Sequence, residues 1–161
     1  MQSVAIIGGG PAGLMAAEAV VRGAGPGVVN VDVYDAMPSM GRKFLLAGKG
    51  GLNLTHSEPL ELFLFRYGTQ RERIAPLLES FGPNALRAWA QELGIETHVG
   101  SSGRVFPAGM KAAPLLRTWL HRLRAAGVSF HSRHRWIGWD QDGALRFATP
   151  NGGLTTQPDA T

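Results

Sequence analysis

The stretch "SVAIIGGGPAGLMAAEAVVRG", residues 3–23, decides the reading of this chain. Residues 3–8 form a short apolar run ending in glycines. Such a run suits a strand buried on both faces, in the middle of a parallel sheet. Residues 11–23 read as a helix: Pro11 fits a first helical position, alanines dominate, and Gly23 can stop it. Between the two lies "GGGPAG". Gly8, Gly10 and Gly13 satisfy G-x-G-x-x-G, with Pro11 and Ala12 in the paired spacer positions. The pattern alone is weak, but a strand before it and a helix after it are the context its physics requires. The first glycine permits the tight turn. The second lets backbone approach a pyrophosphate, and the third lets helix pack on sheet. The positive end of the helix then faces the phosphate charge.

The next segment supplies the second half of the pattern. "VVNVDVYD", residues 28–35, reads as a strand, so strand, turn, helix and strand form a βαβ unit. Asp35 ends that strand 22 residues beyond Gly13, close to the ~20 expected of an acid that accepts ribose hydroxyls. A carboxylate there repels a 2′-phosphate. Asp32 is the competitor; it lies inside the strand and is read as facing away from Tyr34. An ordinary strand-end turn residue is the structural alternative for Asp35.

Further along, residues 41–57 read as a long loop. Ser57 is expected to cap a helix whose Leu60, Phe63 and Leu64 face a core. Apolar periodicity predicts helices over 83–93, with Leu86, Trp89, Ala90 and Leu93, and over 111–126, with Leu115, Leu116, Trp119, Leu120 and Leu123. "GVSFHSRHRW", "RWIGWD" and "ALRFAT" read as strands, the last two joined by the hairpin signal "DG". They predict a β-meander, and "NGGLTTQPDAT" reads as turns. The fold class is α/β, a Rossmann-type nucleotide-binding domain.

Composition bounds the rest. The chain has 161 residues, 44% hydrophobic and 17% charged, so it is globular and long enough for one domain. It lacks any apolar run near the ~20 residues of a membrane span. The start does not resemble a secretory signal. Cysteine is absent, which excludes disulfides, thiolate catalysis and cysteine-based metal sites. The absence fits a reducing compartment, and a cytoplasmic location is expected. The net charge is +4 and the pI 10.1. Arg117, Arg122, Arg124, Arg133 and Arg135 concentrate the excess. They form either a solvated helix face and loop or, with Trp119 and Trp136, a nucleic-acid surface. Trp119 falls on the apolar side of its helix, so nucleic-acid binding is not expected.

Two chemistries fail on spacing. "GKGG" lacks the flanking glycine and hydroxyl residue of a Walker A loop. His131 and His134, three apart on a strand, are expected on opposite faces, and no metal site is expected. His56 reads as a loop or capping histidine.

"AIIGGGPAGLMAAE", "VYDAMPSMGRKFLLAGKGGLNLTHSE" and "SSGRVFPAGMKAAPLLRTWL" together resemble the flavoprotein family of NAD(P)/FAD-dependent oxidoreductases that includes aminoacetone oxidase-like and bile-acid-reducing members. The likeness runs from Val4 to Asp159. Many members carry arginine and cysteine before the asparagine of the second stretch, where this chain has Gly51-Leu52, so it resembles a sub-branch. The resemblance implies an FAD domain of the glutathione-reductase type. It implies that Arg42 and Lys43 bring positive charge near the adenosine and pyrophosphate, solvated loop charge being the alternative. It implies that Gly48, Gly50 and Gly51 let backbone pass close to the cofactor, and that Asn53 and Thr55 offer hydrogen bonds near the isoalloxazine. Arg104 and Lys111 meet phosphate or an anionic substrate, or are simply exposed. The resemblance implies FAD as the cofactor, either NAD(P)H as reductant or oxygen as oxidant, and a small molecule as substrate. No catalytic acid or base is identified, and oligomeric state is not read. A dehydrogenase using NAD alone is the alternative enzyme. In that family the inserted substrate domain and a closing FAD segment follow the meander. Residues 1–161 are therefore expected to be the N-terminal part of the FAD domain, incomplete at the C-terminus, marginally folded or self-associating, and without oxidoreductase activity of their own.

Overall fold

The structure is a computed structural model that describes residues 1–25 and 27–161. In chain order its elements are β1 (Gln2–Ile7), α1 (Pro11–Ala24), β2 (Val29–Asp35), α2 (Arg42–Ala47), β3 (Thr55–His56), α3 (Leu60–Phe65), a 3-10 turn (Gly68–Gln70), α4 (Arg71–Ser80), α5 (Pro83–Glu92), β4 (Thr97–Val99), β5 (Arg104–Pro107), α6 (Ala112–Ala125), β6 (Val128–Ser132), β7 (Arg135–Trp139), β8 (Leu145–Thr149) and β9 (Gly152–Thr156). They divide into two compact units, Met1–Phe44 with Leu120–Thr161, and Leu45–Trp119.

The first unit holds a parallel sheet in the order β1-β2-β6. β2 is central, with Val31, Val33 and Tyr34 buried, as a strand covered on both faces should be. Helix α1 buries Leu14, Ala17 and Glu18. The antiparallel meander β7-β8-β9 turns Leu145 and Phe147 into a cluster with Ala5 and Tyr34, against which Trp136 packs. Tyr34 and Phe147 stack with ring centroids 4.3 Å apart. At the β7–β8 turn Asp140 Oδ1 accepts hydrogen bonds from the backbone N–H of Asp142 and Ala144.

The second unit holds an antiparallel sheet in the order β3-β5-β4. Val105 on the central strand is fully buried. Trp89 of α5 meets Trp119 edge to face, centroids 4.8 Å apart.

β1 has β2 and then β6 on one side only, and among the described residues its other side meets a parallel bridge, Val4 to Ala160. Several sequence expectations are corrected. Residues 42–47 form helix α2, since "RKFLLA" contains good helix formers. Helix α3 begins after Pro59, with no side-chain cap; Ser57 instead donates its backbone N–H to Gly103 O (2.8 Å). Residues 152–156, read as turns, form strand β9, because β8 offers them a register partner from Leu145 to Thr149. Asp32 and Tyr34, two apart on one strand, share a face. Burial, and then the Asp32 carboxylate, push the Tyr34 phenol above its ordinary pKa, against the opposing hydrogen bond with Thr156. His131 and His134 do not diverge either. Arg133 adopts φ +60°, which breaks the strand alternation, and both rings pack on Tyr34.

Candidate functional site

The turn between β1 and α1 is built as the glycine spacing demands. Gly8 adopts φ +111°, which only glycine takes readily, and donates its N–H to Tyr34 O at 2.8 Å. A Cβ on Gly13 would lie 1.9 Å from Gly8 O, so helix and strand approach at a distance no other residue allows. Gly10 differs. It is the N-cap of α1 at φ −82° with no side-chain cap, and an added Cβ would meet nothing within 4 Å. Nothing inside the chain requires glycine there. The first intrahelical bond runs from Leu14 N–H to Gly10 O (2.9 Å). The amides of Ala12 and Gly13 therefore precede the helical ladder, while Pro11 has none to satisfy. An open space before uncapped amides, at the positive end of a helix, fits a phosphate-bearing group.

Asp35, half-buried at the end of β2, is already engaged. Its Oδ2 accepts the backbone N–H of Gly9, and its Oδ1 that of Met37, both at 2.7 Å. A carboxylate offers about four lone-pair positions, so acceptor capacity remains for ribose hydroxyls. Gly9 is the residue the sequence reading missed. It is buried, its own O accepts Gly41 N–H at 2.7 Å, and a Cβ on it would lie 2.1 Å from Met40 Sδ. The triple glycine of "GGG" was the signal in the sequence, but the demand on its middle member comes from Met40. Arg42 and Lys43 open α2, one residue beyond the Gly9–Gly41 bond, and both are exposed. A shallow cavity of about 430 Å³ opens beside the segment after Asp35, lined by Ala36, Pro38, Arg133, Arg135, Ala148, Thr149 and Pro150.

Gly51, Asn53 and Thr55 belong to the second unit. There the second and third quoted stretches form one ladder. Leu52 N–H donates to Met110 O (2.9 Å), Leu54 N–H to Val105 O (2.8 Å) and Ser57 N–H to Gly103 O (2.8 Å). Gly51 sits beside Met110, whose Cε would lie 2.8 Å from an added Cβ. The Asn53 side-chain amide nitrogen donates to Thr55 O (2.8 Å) and Val105 O (3.3 Å) in the orientation that satisfies both groups. Its hydrogens are spent on the ladder. Thr55 is buried. His56 is held at both ring nitrogens: Nδ1 accepts Glu58 N–H at 3.2 Å, and Nε2 lies 3.0 Å from Ser102 O. That is a structural histidine. The hydrogen bond from Arg66 holds the Glu58 carboxyl below its ordinary range. Arg104 and Lys111 are exposed.

Among the described residues no helix is long and apolar enough to cross a membrane. The basic stretch is dispersed: Arg122 pairs with Glu18 at 2.5 Å, and Arg124 lies over the Phe130 ring at 5.2 Å.

Comparison with known proteins agrees with this architecture. A 3-dehydro-bile acid Δ4,6-reductase of Clostridium scindens is 29% identical over 132 residues, which are 82% of this chain and 31% of the relative. The chain thus spans about a third of that relative's length. Among solved structures, an open conformation of a flavocytochrome c3 fumarate reductase matches with TM-score 0.66 at 16% identity, covering 96% of this chain and 31% of that one. The 3-ketosteroid-Δ4-(5α)-dehydrogenase of Rhodococcus jostii RHA1 matches with TM-score 0.65 at 15% identity, covering 98% and 44%. The fold is that of a Rossmann-type FAD/NAD(P)-binding domain. The model of the HI0933-like protein Rossmann domain matches residues 2–160, nearly the whole chain, and the chain belongs to that family.

Proposed function

We propose that this chain binds FAD through the ADP half, and that the whole protein is a flavin-dependent oxidoreductase acting on a small molecule. The observation that carries the reading is Gly10: a glycine that no internal contact or dihedral requires, set before the uncapped amides of α1. Family membership supports a flavin over nicotinamide alone, as does the likeness in fold to a flavocytochrome. Bound flavin supplies the hydride or electron transfer.

The chain's own residues hold and orient it. The amides of Ala12 and Gly13 and the α1 dipole receive the pyrophosphate, with Gly8 and Gly13 fixing the turn. Asp35 accepts the ribose hydroxyls with the lone pairs that Gly9 and Met37 leave. Arg42 and Lys43 offset phosphate charge. Gly51, Asn53 and Thr55 are proposed for the flavin end. NAD(P)H is the proposed reductant. A substrate domain and a closing flavin segment are proposed to lie outside these residues, which the 31% share of the bile-acid reductase supports.

The test is titration of the purified chain with FAD, followed by flavin absorbance and fluorescence. ADP should compete with FAD. Gly10→Val should abolish flavin retention, and Asp35→Ala should weaken FAD by about 1.5–3 kcal/mol. A chain that binds NAD and not FAD, or a Gly10→Val variant with normal flavin content, overturns the proposal.

A further inference from the structure

Asp35 is bonded to the glycine turn itself. Its Oδ2 holds Gly9 N–H at 2.7 Å and its Oδ1 holds Met37 N–H at 2.7 Å. The next peptide is held as well: Gly9 O accepts Gly41 N–H at 2.7 Å. Gly9 is buried, and a Cβ on it would lie 2.1 Å from Met40 Sδ. A buried amide without a partner is costly, so the turn keeps this geometry only while the carboxylate is present. Gly9 directly precedes Gly10, whose carbonyl starts the α1 ladder. Tilting the Gly9 peptide therefore re-aims the amides of Ala12 and Gly13.

We infer that Asp35 is a positioning residue for the phosphate-binding turn as well as a ribose ligand, latching the turn in its anion-receiving geometry before any nucleotide arrives. The inference rests on the nucleotide-site reading above and extends it. A ribose ligand alone acts only on ligands that carry ribose hydroxyls. A latch acts on every ligand that uses the phosphate turn.

That difference is measurable with ADP and 2′,3′-dideoxy-ADP, titrated calorimetrically into the chain and its Asp35→Ala variant. Native-state amide exchange at Gly9 serves as a second readout that needs no ligand. The latch predicts that Asp35→Ala weakens dideoxy-ADP by about tenfold or more, the worth of a charge-assisted bond, and speeds exchange at Gly9. Unchanged dideoxy-ADP affinity with weakened ADP overturns the latch and leaves the ribose role standing. If the native chain binds neither nucleotide, the site reading itself fails. Should Asp35→Ala not fold, Asp35→Asn carries the same comparison, because its single carboxamide oxygen must serve two donors. Faster exchange at Gly9 or Met37 with loss of dideoxy-ADP affinity then supports the latch, and full affinity overturns it.

Discussion

A Cβ at Gly13 would sit 1.9 Å from a backbone oxygen, whereas one at Gly10 would meet nothing within 4 Å. The fold thus demands glycine at Gly13 but not at Gly10, where the proposed demand is the ligand's. Gly13→Ala should destabilise the chain by about 1–3 kcal/mol, because the obstructing atom is a carbonyl that cannot swing aside. Gly10→Ala should cost about 0.5 kcal/mol, the preference of a helix N-cap for glycine over alanine, while FAD affinity falls. Urea denaturation and flavin titration on both variants separate the two demands. Equal stability losses would show that the glycines are interchangeable. The packing role of Gly13 was legible in the sequence, since strand, spacing and helix specify it locally, and the same spacing carries the proposal for Gly10. Gly9 was not, because what excludes a side chain there is Met40, which the chain brings back from after the second strand. The two histidines misread as diverging show the same limit. Alternation holds only while φ stays negative, and Arg133 at +60° ends it.

The elements read best from sequence were those with one clear apolar period. Helices α5 and α6 bury Trp89 and Ala90, and Leu115, Leu116, Trp119 and Leu123, as their spacing requires. Helix α4 gave no such signal; it contains Pro76 and has no fully buried residue. Strand β9 carries two glycines and two threonines, and only its pairing with β8 makes it a strand. A contact that no periodicity could reveal joins α1 to α6. Glu18, with a side chain 4% exposed, pairs with Arg122 Nη2 at 2.5 Å and with Arg22 at 3.6 Å. Removing one partner of a buried pair leaves the other charge uncompensated, and replacing both with apolar groups is often harmless. Glu18→Ala should therefore cost about 2–4 kcal/mol, toward the low side of the buried-pair range because Arg122 is partly exposed. The double change Glu18→Met with Arg122→Met should recover most of that loss. A double variant as unstable as the sum of its parts would mean the pair is not coupled, as equilibrium unfolding of the full cycle would show.

At the scale of the whole molecule, the side of β1 away from β2 is the feature whose effect in solution is open to test. A strand edge with free N–H and C=O groups is a template for another chain. Here the edge is clasped in part. Asp159 Oδ2 accepts Ser3 N–H at 2.7 Å and the Ser3 hydroxyl at 2.8 Å, and Asp159 N–H donates to Ser3 Oγ. Ala5 N–H donates to Ala160 O at 2.9 Å, and Ala160 N–H to Ser3 O at 3.1 Å. The Ser3 backbone N–H, and then its hydroxyl, hold the Asp159 carboxyl below its ordinary range. A depressed folded value means that the clasp stabilises the chain fully above the unfolded carboxylate pKa of ~4. That contribution is lost as pH falls through the lower folded value, because the unfolded chain then takes up the proton first. Acid should therefore open the edge, and Asp159→Ala should open it at neutral pH. In that variant the amides of Ser3 and Ala5, which face the tail, should exchange quickly while those of central β2 stay protected. Light scattering should register more self-association than in the native chain. Exchange at Ser3 and Ala5 indifferent to Asp159→Ala would show that the two-residue bridge holds without the carboxylate. The edge would then be guarded by backbone pairing alone, and association should not respond to acid at all.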